Sequence, residues 1–439
     1  MNEKKIGNYR WTICSLVFFA TTINYLDRQV ISLLKPILEK EFNWTESDYS
    51  NIVIAFTLAY ALGMLGVGRL IDKIGTKLGY AFSLILWSIA AILHAFATST
   101  FSFAAYRALL GVSESGNFPA AIKTVAEWFP KKERALATGI FNSGTNIGAI
   151  IAPIVVPWIA INYSWQMAFI ATGAVGFLWL IFWFTMYEIP AKHKKLSKAE
   201  YDYIHSDNEE IAVVNDKEEE PKISWLKLLT FKQTWSFAVG KFLTDGIWWF
   251  FLFWLPAFLI AEYGLVGMQV SFPIVLVYTM AGFGSILGGW LPMWFVKNKG
   301  WTIVRARKTS MFIYALFPLL VIFSQYAGSF SMWFAVIIIG IACSAHQAWS
   351  ANIFTTVSDM FPKNSIGSVI GIGGMAGGFG GMTVAKLAGK LFDHYKSLGH
   401  IETGYYIMFF VCGLAYLLAW FIMFRLLIPK MTPITAGRQ

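Results

Sequence analysis

Four ionisable residues lie where the sequence is otherwise apolar. Asp27 and Arg28 follow the apolar stretch 11–23 and are followed by a second apolar stretch. Arg107 and Glu114 lie in another apolar segment, and a spacing of seven residues places them on nearly one face of an α-helix. A charge at the centre of a bilayer costs about 2.5–3.5 kcal/mol on insertion scales. Residues kept there indicate buried ion pairs, a ligand site or a path for protons.

Two interpretations of these charges stay open. They could form ion pairs that only hold helices together, with Asp27 close enough to Arg28 to hold it. Ionisable residues within a membrane are nevertheless functional by default. In the functional interpretation, an anionic ligand binds Arg28 or Arg107, and Asp27 and Glu114 carry protons. Arg28, with Tyr25 on the same helical face, is the first choice, because a planar guanidinium binds a carboxylate in bidentate fashion and lysine cannot.

The composition predicts the elements that position these residues. Of 439 residues, 56% are hydrophobic and only 14% are charged, which is typical of a polytopic α-helical membrane protein. Windows of about 20 apolar residues predict twelve membrane helices in two groups of six. Their approximate ranges are 11–33, 50–71, 79–97, 101–122, 136–158, 167–188, 233–260, 270–296, 306–325, 331–356, 365–390 and 403–427. We therefore expect an N-terminal six-helix bundle at 1–188, a cytoplasmic linker at 189–232 and a C-terminal six-helix bundle at 233–439.

The basic residues follow the loops. A net charge of +10 could indicate nucleic-acid binding. Loops rich in lysine and arginine, however, alternate along the chain with loops that have few of them, so the basic residues form no single patch. If the N-terminus is cytoplasmic, nearly all of them fall on the cytoplasmic side, so the positive-inside rule places both termini there. The three cysteines all fall in apolar segments, and we expect no disulfide framework, no metal site and no cofactor.

The linker is rich in lysine and glutamate, which favours a solvated connection over a regulatory segment. Ser197 and Glu200 have the spacing of a capping box, which predicts a short surface helix within it.

The second half carries a different set of polar residues. His346, Gln347, Trp349 and Asn352 lie on one predicted helix, where amides suit sugar hydroxyls and tryptophan offers a stacking face. His346 alone would more often be an interior histidine with satisfied hydrogen bonds, and its neighbours make a ligand site an equal alternative. Lys241 and Asp245 are four residues apart on the seventh predicted membrane helix, a spacing that favours simple pairing with each other.

A loop motif indicates the family. The segment after the second predicted helix contains Gly68, Asp72, Lys73, Gly75 and Lys77. It resembles the cytoplasmic signature loop of the major facilitator superfamily, whose members consist of six plus six helices. A degenerate copy follows the eighth predicted helix.

The fifth predicted helix carries small residues four apart, which let helices approach closely, and it resembles the helix 5 signature of the same superfamily. These residues are Gly144, Gly148, Ala152 and Pro153. Close packing explains this pattern without a role in gating.

Two further motifs resemble one branch of that superfamily. Tyr25 to Arg28 is similar to the helix 1 motif of the anion:cation symporters, and the pair Arg107 and Glu114 is similar to their helix 4 pattern. This branch includes sugar-acid transporters, sialin and the vesicular glutamate transporters, and helix 10 resembles its hexuronate transporters.

Comparison with D-galactonate:proton symporters of this branch identifies two more candidate ligands. Tyr60 falls where they supply a substrate-binding tyrosine. Thr145, which stands beside Asn142 and Asn146, falls where they carry a glutamine. This departure implies a different hydroxyl pattern on the ligand.

The resemblance implies a major facilitator fold that works by alternating access. The implied function is proton-coupled symport of a hexuronate, such as glucuronate or galacturonate, by a monomer in a bacterial inner membrane. Its expected substrate ligands are Tyr25, Arg28, Tyr60, Arg107, Thr145, Asn146, His346, Gln347, Trp349 and Asn352.

Other functions compete with this one. The protein could carry another organic anion, such as an aldonate, coupled to protons or sodium. It could also be a membrane receptor that binds such an acid without moving it. An enzyme is disfavoured, because the sequence contains neither a nucleophile–base motif nor a metal cluster.

Overall fold

The computed structural model of the chain describes residues 6–44, 46–206, 223–265, 269 and 271–434. Within these residues the chain is helical and contains no β-strand. The α-helices are α1 (Tyr9–Phe42), α2 (Glu46–Ile74), α3 (Thr76–Leu93), α4 (Thr100–Glu114), α5 (Asn117–Trp128), α6 (Lys131–Asn162), α7 (Trp165–Met186), α8 (Lys198–Ile204), α9 (Trp225–Leu228), α10 (Lys232–Tyr263), α11 (Ser271–Lys299), α12 (Ile303–Leu316), α13 (Ser324–Gly328), α14 (Met332–Met360), α15 (Ile366–Ser397) and α16 (Ile401–Phe421).

Each of the twelve predicted membrane segments overlaps one or two of these helices. Among the described residues, nine helices are long and apolar enough to cross a membrane. The predicted segments outside this set are α1, the α4–α5 pair and α10. All three carry charged side chains within their apolar stretches, and α4 and α5 are each shorter than a membrane span. The charges thus mark the helices on which a site is expected.

The fourth predicted segment is divided in two. A turn at Ser115 and Gly116 separates α4 from α5, so Glu114 is the last residue of α4. Both turn residues keep right-handed helical dihedrals, and the chain bends there without reversing. A side chain on Gly116 would overlap Ser83, which explains the glycine at this bend.

The chain divides into two compact units. Unit 1 consists of Met1–Trp225, Phe361–Ile372 and Ile434–Gln439, and unit 2 consists of Leu226–Met360 and Gly373–Pro433. In unit 1, α1 packs on α6 and α2 packs on α4. In unit 2, α11 packs on α14 and α10 packs on α16.

Small residues allow the close approach of α1 and α6. A Cβ atom on Gly148 would lie 2.5 Å from the carbonyl oxygen of Thr22, and one on Gly144 would lie 2.6 Å from that of Phe18. No side chain fits at these distances, so the prediction of tight packing along this face is confirmed.

The signature loop joins α2 to α3. Gly75 forms the turn with a φ of 85°, a left-handed conformation that favours glycine. One oxygen of the Asp72 carboxylate accepts from Nζ of Lys123 at 3.1 Å, and the other accepts from the backbone N–H of Ser368 at 2.7 Å. Ser368 lies in the first turn of α15, within unit 1, where unpaired backbone N–H groups attract a negative charge.

The two lysines of this loop lie outside that network. Lys73 is exposed. The ammonium of Lys77 donates to Glu188 at 2.8 Å and holds the pKa of that carboxyl below its usual range.

The first part of the linker is ordered against unit 1. The predicted surface helix is confirmed as α8, where the Ser197 hydroxyl accepts from the backbone N–H of Glu200. The capping box is only half formed, because the Glu200 carboxylate instead accepts from the backbone and side chain of Arg10, at 3.0 and 3.2 Å. Linker residues 207–222 lie outside the described part of the chain.

Candidate functional site

An ion pair joins α1 to α4 in unit 1. Nε of Arg28 donates to Oε2 of Glu114 at 3.0 Å, and Nη2 lies 2.9 Å from the same oxygen. One turn earlier on α1, the side-chain oxygen of Asn24 accepts from the same Nη2 at 3.3 Å. The Glu114 side chain is fully buried, whereas 10% of the Arg28 side chain stays exposed. The arginine is therefore the more exposed member of the pair.

Three aromatic rings surround this guanidinium. Cζ of Arg28 lies 4.6 Å from the ring centroid of Tyr25, 5.0 Å from that of Phe56 and 4.8 Å from that of Tyr60. Rings at this distance attract a cation and exclude water from it. The structure thus brings Tyr25 and Tyr60 to Arg28. Phe56 was not predicted from the sequence, although its spacing of four residues from Tyr60 on α2 places both on one helical face.

Arg107 supports the same cluster from α4. Its Nη2 donates to the carbonyl oxygen of Arg28 at 2.7 Å, and its guanidinium lies 4.7 Å from the centroid of Phe56. The side chain is buried. Arg107 therefore touches the backbone that carries Arg28 and shares Phe56 with it, so its position affects the presentation of Arg28.

Asp27 does not hold Arg28, and that expectation is wrong. Neighbouring residues on a helix diverge by about 100°, and Arg28 turns toward Glu114. Both Asp27 oxygens are buried without a hydrogen-bond partner among the described residues, as is Oε1 of Glu114. Buried polar atoms normally have partners. Unpartnered carboxylate oxygens beside two arginines are therefore candidates for holding a proton.

The candidate residues on α6 lie in the same unit. Thr145 is buried, and its hydroxyl donates to the carbonyl oxygen of Asn142 at 2.8 Å. Asn146 is also buried, and its amide nitrogen has no hydrogen-bond partner among the described residues. Asn146 thus offers an unused donor, whereas the Thr145 donor is already engaged.

In unit 2, His346 is held between two aromatic residues. Its Nδ1 lies 2.6 Å from the hydroxyl of Tyr416, and its ring stacks on Trp248 at 5.0 Å between centroids. Trp349 is fully buried, meets the Tyr416 ring edge-on at 5.7 Å and has no hydrogen-bond partner for Nε1 among the described residues. Gln347 is buried beside them. His346, Trp349 and Tyr416 thus form one packed cluster.

Asn352 is occupied by its own unit. Its amide nitrogen donates to the carbonyl oxygens of Gly288 and Ala348, at 2.8 and 2.9 Å. Its oxygen accepts from Nη1 of Arg307 at 3.3 Å, and Arg307 is in turn paired with Asp359 at 2.8 Å. Each of these atoms ties α14 to its neighbours, so the side chain contributes mainly to packing.

Similarity to known proteins identifies the family. The sequence pattern of the Major Facilitator Superfamily matches residues 17–385. The chain belongs to this superfamily. The prediction from the signature loop is thereby confirmed, and with it the all-α membrane fold.

Individual relatives extend the comparison. The chain is 34% identical to the hexuronate transporter of Escherichia coli K12 over 391 residues, 89% of each sequence. It is 34% identical to the galacturonate transporter of Dickeya chrysanthemi over 312 residues, 71% of this chain and 90% of the relative. Among solved structures, the proton:xylose symporter XylE superposes with a TM-score of 0.71 at 16% identity and 97% coverage of both chains. The last match concerns the fold alone.

Proposed function

We propose that this protein is a secondary active transporter that moves a hexuronate, such as glucuronate or galacturonate, together with protons. The observation that carries the proposal is the Arg28–Glu114 pair, in which the cation stays open and the acid is buried. A carboxylate is the ligand that suits a guanidinium edge, and the surrounding rings strengthen the contact by excluding water. The names of two relatives, a hexuronate and a galacturonate transporter, support this substrate class.

Charge balance links the substrate to protons. The substrate carboxylate would bind the edge of Arg28 that Glu114 now occupies through Nε and Nη2. A displaced Glu114 carboxylate would be a buried charge that has lost its paired arginine and keeps only the more distant field of Arg107, which is unfavourable. Uptake of one proton by Glu114 removes that charge. Asp27 is the second proposed proton carrier, because its buried oxygens make no hydrogen bond of normal geometry among the described residues and it lies in the field of Arg107.

The remaining candidates complete the substrate contacts. Tyr25 and Tyr60 lie close enough to Arg28 to contact a ring held by its carboxylate, and Asn146 has a free amide donor. In unit 2, His346, Gln347 and Trp349 are proposed to recognise sugar hydroxyls. Thr145 and Asn352 are the weaker candidates for substrate contact, because their side-chain donors already form hydrogen bonds within the protein.

The cycle proposed is alternating access in a bacterial inner membrane, with a monomer whose termini are both cytoplasmic. The signature loop contributes through Asp72, whose carboxylate binds the first turn of α15. Loss of that contact would free the helix start, so Asp72 is a conformational residue and not a ligand.

The test is uptake of labelled galacturonate into proteoliposomes with an imposed proton gradient, inside alkaline. We expect labelled galacturonate to accumulate inside above its external concentration. A protonophore, which dissipates the proton gradient, should abolish this accumulation. If a sodium gradient drives uptake in the absence of a proton gradient, the coupling ion is sodium and not the proton. Binding of galacturonate without any uptake would favour a receptor.

A further inference from the structure

The two units contain ion pairs with opposite exposure. In unit 1, the exposed member is the cation, with side-chain exposure of 10% for Arg28 and 0% for Glu114. In unit 2, Nζ of Lys241 lies 2.7 Å from Oδ2 of Asp245, and the exposed member is the acid, with 7% for Lys241 and 19% for Asp245. An open cation attracts an anion. An open carboxylate repels one and accepts hydrogen bonds from neutral donors instead.

The Lys241–Asp245 pair does not tie helices together. Both residues lie on α10, four positions apart, so the ion pair adds no link from this helix to another. Two charges near the middle of an apolar helix are expensive, and a pair that adds so little tertiary stability is difficult to explain by structure alone. Function is the better explanation for their presence.

The surroundings of the pair suit a sugar. Nζ of Lys241 lies 4.3 Å from the ring centroid of Phe354 on α14, which anchors the lysine. Gly377 on α15 lies against the Asp245 carboxylate and has no side chain to cover it. The pair is thus flanked by α14 at Lys241 and by α15 at Asp245. His346, stacked on Trp248, and Tyr416 are the other titratable groups in electrostatic contact with the pair.

We infer that Asp245 is a specificity residue that accepts hydrogen bonds from the hydroxyls of the sugar acid, and that Lys241 holds its carboxylate in position. This inference rests on the proposed transport of a sugar acid. The pairing expected from the spacing is confirmed, and the inference gives it a function. It also shifts hydroxyl recognition in unit 2 from Asn352 to α10. Carboxylates that accept from a ligand hydroxyl discriminate strongly, because an analogue without that hydroxyl leaves an acceptor oxygen of the site without its hydrogen bond.

The test compares two ligands by calorimetry on the purified full-length protein. D-galacturonate carries the hydroxyls, and tetrahydropyran-2-carboxylate keeps the ring and the carboxylate without them. We expect Asp245→Asn to weaken galacturonate binding by about 10- to 100-fold, the scale of one hydrogen bond to a charged group, and to leave the hydroxyl-free acid unchanged. Arg28→Lys should weaken both ligands, because both carry the carboxylate.

A double variant separates recognition from structure. Lys241→Gln with Asp245→Asn removes both charges and keeps a polar side chain at each position, so we expect thermal stability close to that of the unsubstituted protein. Its galacturonate affinity should remain as low as that of Asp245→Asn. Recovery of affinity in the double variant would make the pair structural and overturn the inference, as would equal effects of Asp245→Asn on both ligands. If galacturonate does not bind the unsubstituted protein, the proposed substrate is itself wrong and the inference falls with it.

Discussion

The two units place charge on corresponding helices but use it differently. In each, the first membrane helix of the unit carries a cation and an acid, on α1 in unit 1 and on α10 in unit 2. A glycine of a later helix lies against that segment in both, Gly148 on α6 and Gly377 on α15. In unit 1 the ion pair of α1 reaches α4, whereas in unit 2 it closes on α10 itself.

This difference separates two tasks that a charge can perform. A pair between helices couples ligand binding to helix position, because whatever displaces one member also releases a link between α1 and α4. A pair within one helix can change partners without disturbing the packing around it. The inter-helix pair therefore suits coupling to protons, and the intra-helix pair suits recognition of neutral hydroxyls.

The largest expected effect follows from neutralising the coupling acid of unit 1. Glutamine in place of Glu114 imitates the protonated acid and cannot release a proton. We expect Glu114→Gln to abolish accumulation of galacturonate under a proton gradient, because an empty carrier must lose its proton to complete the cycle. Exchange of labelled for unlabelled galacturonate across the membrane needs no net proton release and should persist.

The two assays on one Glu114→Gln preparation control each other, since a misfolded protein would fail both. Asp27→Asn, measured alongside, shows whether a second acid is needed. Normal accumulation by Glu114→Gln would make that residue structural and leave coupling to Asp27 alone.

The second prediction tests the shape of the cation. Arg28→Lys keeps the charge but loses the two-pronged donor edge, so we expect galacturonate binding to weaken by about 1.5–3 kcal/mol, roughly 10- to 150-fold. Calorimetry on the purified protein measures this. Arg305→Lys, an exposed residue at the start of α12, is the matched control and should leave affinity unchanged. If Arg28→Lys kept near-native affinity, Arg28 would not be the carboxylate ligand, and Arg107 would be the better candidate.

Much of unit 1 could be predicted because its signals are local. Apolar windows give the helices, and a charge within such a window is conspicuous whatever its partner. The partner itself is not local. Asp27 adjoins Arg28 in sequence, yet Arg28 pairs with Glu114, 86 positions away, because side-chain direction and helix packing decide the contact. Phe56 could not be predicted for a related reason, since a phenylalanine in an apolar helix does not indicate from sequence alone that it packs on a cation.

Unit 2 was harder to predict because its polar residues share their types with structural ones. Asn352 has the chemistry of a sugar ligand, but in the fold its amide bridges Gly288, Ala348 and Arg307. The spacing of Lys241 and Asp245 correctly predicted their pairing. Only the structure gives the exposure of each member, which is the quantity that distinguishes a cation site from an acceptor site.

The third prediction compares glycines in the two units. Gly148→Ala would press its Cβ against the backbone carbonyl of Thr22, which cannot move easily, so we expect a loss of about 1–3 kcal/mol in stability and a lower apparent melting temperature. Gly377→Ala would meet the movable end of the Asp245 side chain and should cost less stability. It should instead weaken galacturonate binding.

Gly66 provides the control for this series, because a Cβ there would have no heavy atom within 4 Å outside its own helix. Gly66→Ala should leave the melting temperature unchanged or slightly raised, since alanine favours the helix. A larger loss of stability for Gly377→Ala than for Gly148→Ala would contradict the view that the α1–α6 contact is the more rigid of the two.

The smallest expected effect concerns the linker helix α8, which adds to unit 1 a contact outside the site. The Tyr203 hydroxyl donates to Glu133 at 2.7 Å, while its ring lies 4.9 Å from the Arg10 guanidinium and 4.3 Å from the Lys132 ammonium. Tyr203→Phe removes only the hydrogen bond and keeps both ring contacts. We expect a loss of about 0.5–1.5 kcal/mol in local stability, seen as faster amide hydrogen exchange in α8 with unchanged galacturonate uptake.

Tyr201→Phe, in the same helix, is the control. It should leave the exchange rate of α8 unchanged, because the Tyr201 ring packs on His205 and that contact does not need the hydroxyl. Equal exchange in both variants would mean that packing alone holds α8, and reduced uptake by Tyr203→Phe would mean that the linker acts on the transport cycle.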